Sequence, residues 1–453
     1  MHFARIPATF RWKNFFNQNH KIMLTLKNYL LAGVIVLSFL ACDKDDDTEP
    51  GDQATFKVTI ENVTEPKAYM ASGETGMLMP GETLSFSFNA GIGSYLSFAT
   101  MFVQSNDLFY GFSDQGLRLY DDNGVAVTGD VTGMVNLWDA GTEVNEEPGV
   151  GPNQAPRQSG PNTGPDENGT VELIANVNDG FSYPAVADVI KVMLSHQGNT
   201  EFTVTIENVS ASASLSTPLA PGVWVVHNDQ VQLFTAGMTA PDGLEGVAED
   251  GDNIDLLAAL ADGTGYVSPL APGVWAVHDV NTMPLFENGQ TDRGKGLEAL
   301  AEDGDPSTLN SSLTGSADIL SNGVFNTPVG AASPGPLLPG NSYSFTFKAN
   351  ESDYLSLATM LVQTNDLFYA FGANGVALFS GGNPVEGDLT SQLQLWDAGT
   401  EVNEFPGAGP NQAPRQSGPD TGADENGVVM PVNDSFSYPV VNNVIKVSIE
   451  VLQ

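Results

Sequence analysis

The sequence predicts an all-β protein made of two tandem antiparallel β-sandwich modules, and three observations carry that prediction. Gly (48) and Pro (28) are abundant among the 453 residues, a mixture that favours many short strands joined by turns. Apolar and polar residues alternate in short runs. Phe56, Val58 and Ile60 alternate with Lys57, Thr59 and Glu61, and Leu84, Phe86 and Phe88 with Ser85, Ser87 and Asn89. Long stretches of the chain recur almost letter for letter. At 41% apolar residues, the chain can bury a real core.

The repeats set the expected boundaries. YLSFATMFVQSNDLFYG at 95–111 returns as YLSLATMLVQTNDLFYA at 354–370. WDAGTEVNEEPGVGPNQAPRQSGPNTG at 138–164 returns at 396–422 with three differences. FSYPAVADVIKV at 181–192 matches FSYPVVNNVIKV at 436–447, and FKVTIENV at 56–63 matches FTVTIENV at 202–209. These words place a first module at 54–195 and a second at 200–453, joined by Ser195–Thr200. The second module carries a local duplication over 216–305: STPLAPGVWVVH and LEGVAEDGD return as VSPLAPGVWAVH and LEALAEDGD. The first module lacks this segment and reads as a short form. Helices are expected only at Leu244–Glu249, Ile254–Ala261 and Leu297–Glu302.

The N-terminus reads as an export signal. The first 41 residues hold five Lys or Arg and no acid, and end in an apolar run from Tyr29 to Ala41. That run is too short to span a membrane, which takes about 20 residues, and it suits a signal-peptide core. Leu40-Ala41-Cys42 resembles a bacterial lipobox, with Cys42 the lipidated residue and 1–41 removed. Met23 begins a compact alternative n-region. The stretch 42–53 is then a lipidated acidic tether. Acids directly after such a Cys mark export to the outer face of the outer membrane in many bacterial lipoproteins, so a surface-exposed outer-membrane lipoprotein is expected. Cys42 is the only cysteine, so no disulfide braces the fold.

All 55 acidic residues lie beyond Cys42, with only 11 of the 16 Lys and Arg. A surface this acidic repels nucleic acid and anionic lipid and attracts cations.

Three features resemble the spondin domain, the N-terminal module of the F-spondin and mindin family, in a bacterial form. They are SFATM followed by Ser105-Asn106-Asp107 and Phe109-Tyr110, the Trp138-Asp139-Ala140-Gly141-Thr142-Glu143 word, and LEALAEDGDP at 297–306. The resemblance spans nearly all of the chain past Cys42. It departs in lacking the disulfides of vertebrate members. It implies sandwiches similar to calcium-dependent membrane-binding domains, with a Ca²⁺ site at one end. Ca²⁺ needs six to eight oxygens, and Asp107, Asp139 and Glu143 are the candidate ligands, with Asp366, Asp397 and Glu401 their counterparts. Asn106 and Asn365 are possible further oxygens, and Gly141 and Gly399 supply the sharp turn. Asp-x-Gly also serves as plain turn chemistry without metal.

The loop 143–169 is polar, rich in Pro and Gly, and long enough to suggest a function. Its Arg157, like Arg415, is expected to pair with a local carboxylate or an anionic partner. Trp224 and Trp275 are expected in the core or across a strand edge, and His227 and His278 as structural histidines. No catalytic cysteine, Gly-x-Ser-x-Gly, His-Glu-x-x-His or P-loop is present past Cys42. The expectation is a cell-surface binding or adhesion protein, not an enzyme, engaging an extracellular protein or glycan with calcium. The alternative is an accessory or hydrolytic component of a surface polysaccharide-uptake system.

Overall fold

A computed structural model describes residues 53–452. The expected signal segment 1–41, Cys42 and nearly all of the expected tether 42–53 lie outside the described residues. The strands form antiparallel sheets throughout, and the all-β expectation holds. Among the described residues no helix is long and apolar enough to cross a membrane.

The strands do not pair within the two tandem modules. Ala54–Asn62, the first strand, lies between Ser342–Ala349 and Ile445–Leu452 near the far end of the chain. Its counterpart Glu201–Asn208 lies between Thr83–Asn89 and Ile190–His196. Gly222–His227 pairs with Tyr69–Thr75 and Tyr95–Met101, whereas Leu270–Asp279 pairs with Ile319–Phe325 and Asp353–Leu361. One unit therefore runs from 69 to 264 and is inserted into the other, which comprises 54–62 and 266–452.

A hairpin decides the exchange. Ser195–Thr200, expected as an inter-module linker, is a tight turn in which Gln197 N donates to Glu201 O (2.8 Å). Gly198 (φ +94°) and Asn199 (φ +51°) supply the left-handed backbone such a turn demands. Glu201–Asn208 must then pair with Ile190–His196, and Ile445–Leu452 is left for the N-terminal strand. The insert's ends meet: the amides of Ala68 and Tyr69 both donate to Gly263 O (3.0 Å each), and Gly265 N donates back to Tyr69 O (3.0 Å). Adjacent termini are what an inserted domain requires.

This corrects the boundaries 54–195 and 200–453. The first module is not a short form, because 202–262 supplies its missing segment. Nor is 216–305 a duplication inside one module, because each unit takes one copy.

Each unit has three layers. A four-stranded sheet packs on a seven-stranded one across the main core: Phe56, Val58, Tyr343, Leu357 and Val447 in the outer unit, and Phe88, Phe98, Tyr110, Val192 and Val204 in the insert. Helices cover the other face of the larger sheet. In the insert, a helical turn at Gly246–Asp250 and the helix Ile254–Asp262 bury Val247 and Leu260 against Phe109, Trp138 and Val225. In the outer unit, Leu297–Asp303 and Ser307–Leu313, the latter not anticipated, bury Leu300 and Leu309 against Val274, Phe368 and Trp396. Burial on both faces explains why Leu96–Met101 is apolar or small throughout and wholly buried. Trp224 and Trp275 sit in the main cores, stacked on Phe86 (4.8 Å) and Phe345 (5.0 Å).

Candidate metal centre

Asp107 ends the turn after Tyr95–Met101, and Asp139 ends Asn136–Asp139. Cross-strand pairing of Leu108 with Asp139 makes the two acids neighbours. Asp107 is fully buried. Its Oδ2 accepts from Thr142 N (2.8 Å), Glu143 N (3.1 Å) and Thr142 Oγ1 (3.2 Å). Its Oδ1 is buried with no hydrogen-bond partner among the described residues. Asp139 Oδ1 accepts from Gly141 N (2.7 Å), an Asp turn, and Oδ2 from Asn145 Nδ2 (2.5 Å). Gly141 adopts φ +70°, and a Cβ there would stand 2.5 Å from Thr170 N, so only glycine fits.

The third acid is Glu167. Oxygens of Asp107, Asp139 and Glu167 lie within 4.8 Å of one another, as do those of Asp366, Asp397 and Glu425. Glu167 arrives through the long loop, whose far end is tied to the Asp turn by Glu167 N to Thr142 O (2.9 Å) and Gly169 N to Gly141 O (2.7 Å).

Glu143 and Glu401 belong to neither cluster. Glu143 bonds inward, with Oε2 accepting from Asn106 Nδ2 (3.2 Å) and Oε1 from Gly164 N (2.6 Å). Asn365 Nδ2 likewise donates to Glu401 Oε2 (2.9 Å). Asn106 is a loop clamp: its Oδ1 accepts from Glu146 N (3.0 Å) and Gln154 Nε2 (3.1 Å). Buried Gln154 then ties Gly149 and Arg157 to the same knot. The long loop is therefore ordered by its own side chains.

The electrostatics of the centre are those of crowded buried acids. Burial, reinforced by Asp139, pushes the Asp107 carboxyl up to about 7, against the pull of its three hydrogen bonds. Burial and Asp397 push Asp366 up to about 7 in the same way. Asp139 and Asp397 are also raised, chiefly by burial. Burial and Asp139 raise Glu167, and burial and Asp397 raise Glu425. Asp179, held by Tyr183 Oη (2.5 Å), adds to the negative field at Asp139 and Glu167. This accounts for the repeated FSYP word, since Tyr438 holds Asp434 likewise (2.7 Å).

Sequence reasoning found Asp107 and Asp139 and missed Glu167, Asp179 and the buried Glu249 and Glu302. A signal existed for the missed acids: each recurs at the same place in both copies, in DENG, ND-x-FSYP and AEDGD.

The other singled-out residues are structural. His227 Nδ1 lies 2.7 Å from Asn228 O and Nε2 lies 2.8 Å from Ser97 Oγ, and His278 repeats this with Asp279 O and Ser356 Oγ. Burial pushes both imidazoles down from their ordinary value, which favours the neutral form. Among the described residues Arg157 and Arg415 form no ion pair with a carboxylate, the first of the two partners expected for them. Arg157 Nε donates to Gly151 O and Arg415 Nε to Gly409 O (2.8 Å each), closing the loop on itself.

A buried carboxylate with one bare oxygen, facing two further acids, can take up a proton or hold a hard cation. No protein-family model matches the chain, and no curated protein matches it.

Proposed function

We propose that this chain is a lipid-anchored surface protein whose two spondin-like units each hold one calcium ion and bind an extracellular protein or glycan in a calcium-dependent way. The observation that carries the proposal is the bare oxygen of a fully buried acid, Asp107 Oδ1, and its duplicate Asp366 Oδ1. An unpartnered buried carboxylate is costly unless something offsets its charge. The facing groups are all oxygen donors, which suit a hard cation such as Ca²⁺.

Asp107, Asp139 and Glu167 would hold the ion in the insert, and Asp366, Asp397 and Glu425 in the outer unit. A bound ion neutralises charge there. The chain's own residues do the rest. The Asp turns present their carboxylates from the sheet edge, and Glu167 and Glu425 bring in the far end of the long loop. The ion would thereby fasten that loop to the sheet and order the surface a partner meets. Residues 40–42 support lipidation of Cys42 and a place at the outer-membrane surface.

The test is calcium titration of the chain from Asp43, by calorimetry and by melting with and without chelator. A ligand that binds only the folded state raises apparent stability by about 2.7 kcal/mol at a hundredfold excess over its dissociation constant. Asp107→Asn and Asp366→Asn should each remove one site. No heat and no melting shift in the parent chain would sink the proposal.

A further inference from the structure

The outer unit contains a second cluster of acids that its twin lacks. Oxygens of Glu298, Glu302 and Asp420 lie within 4.8 Å of one another. Glu298 and Glu302 stand one turn apart on the helix Leu297–Asp303, and Asp420 comes from the long loop. Glu302 is only 4% exposed. The neighbouring Thr400 hydroxyl, which could serve it, gives its one proton to Asp366 Oδ2 (3.2 Å). None of the ion pairs among the described residues involves the three acids.

The insert supplies the comparison. Glu245, Glu249 and Asn162 occupy the same three places in its repeat. Asn162 is one of only three differences across the 27 matched residues of the loop. There its amide does a cation's work: Asn162 Nδ2 donates to Glu245 Oε1 (3.0 Å). Glu249 remains 3% exposed, with Oε2 bare. In the outer unit the donor is replaced by a third carboxylate, and no ion pair among the described residues offsets the added charge. Three converging carboxylates with no donor among them form an oxygen-only set that favours a hard divalent cation.

We propose that Glu298, Glu302 and Asp420 form an additional divalent-cation site, present in the outer unit and absent from the insert because Asn162 replaces the third ligand. Thr400 neighbours both Asp366 and Glu302, and an ion held by Glu298, Glu302 and Asp420 would pin the helix Leu297–Asp303 to the long loop. It stands on its own donors, independent of the reading given above for Asp107 and Asp366.

The experiment is calorimetric Ca²⁺ titration of the chain from Asp43, carried to about 10⁻³ M, the upper range for extracellular modules. Three ions per chain are expected. Asp420→Asn should remove one and leave the melting temperature in chelator unchanged or higher, since it restores the amide of the twin. Asn162→Asp should add one. Asp107→Asn with Asp366→Asn should leave one ion, and adding Asp420→Asn should remove it. An Asp420→Asn chain that binds as many ions as its parent overturns the proposal. If only Asp420→Asn changes the count, this site stands and the one at Asp107 and Asp366 falls.

Discussion

Val58 lies directly opposite Ile449 in the smaller sheet of the outer unit, so the two ends of the described chain share a cross-strand pair. On the other side Val58 faces Phe345. The N-terminal strand is thus central to a unit whose remaining residues begin some 200 positions later. The two units should therefore respond separately to paired substitutions. Phe56→Ala should destabilise the outer unit by about 3–5 kcal/mol, the cost of emptying a buried aromatic site. Phe202→Ala should do the same to the insert. Near-ultraviolet signals of Trp275 and Trp396 report the outer unit, and those of Trp138 and Trp224 the insert. A loss of the insert's signals on Phe56→Ala would contradict the exchange.

The same topology makes a prediction about fragments. A fragment of residues 67–265 should fold alone, because it contains every strand of the insert and its ends already meet at Tyr69 and Gly263. A fragment of 54–195 should not, because it lacks Glu201–Asn208 and Gly222–His227, both central to their sheets. Cooperative thermal melting of each fragment checks this. Folding of 54–195 would restore the tandem boundaries.

Without metal, stability should fall as pH rises. Asp107 and Asp366 are pushed up to about 7, and Glu249 and Glu302 up to about 8, chiefly by burial. Their unfolded values lie near 4. A group whose folded pKa is raised contributes stability that is complete below the unfolded value and is lost as pH climbs through the folded one. In chelator the melting temperature should therefore drop between about pH 4 and pH 8. Each kcal/mol is worth about 2–4 °C in a unit of this size. Calcium should flatten the profile, as should Asp107→Asn with Asp366→Asn. A melting temperature in chelator that rises across that window would refute the assignment.

Much of this was legible in the residues. The period-two words at 56–60 and 84–88 became strands, the AEDGD words became helical turns, and Pro-Gly-Val-Trp placed both tryptophans in the cores. The centre was legible as far as local turns reach: Asp139 through its Asp-x-Gly word, and Asp107 through its place in the repeat. Glu167 escaped because its approach depends on how a long loop closes. Glu143, next to the turn and plausible by spacing, faces Asn106 and Gly164 instead.

The sequence by itself determined the all-β character, the strands with clear period-two alternation and the twofold repetition. Tertiary structure decided which strands belong together. Ladder hydrogen bonds join backbone to backbone and do not read side chains. FKVTIENV and FTVTIENV therefore fit either sheet equally well. The short turn at Gly198 and Asn199 commits one word to its neighbour and sends the other across the molecule. Pairing of Leu108 with Asp139 and of Leu367 with Asp397, with the closure of each long loop, gathers acids from three separated segments around Asp107 and Asp366, at spacings that no periodicity along the chain could reveal.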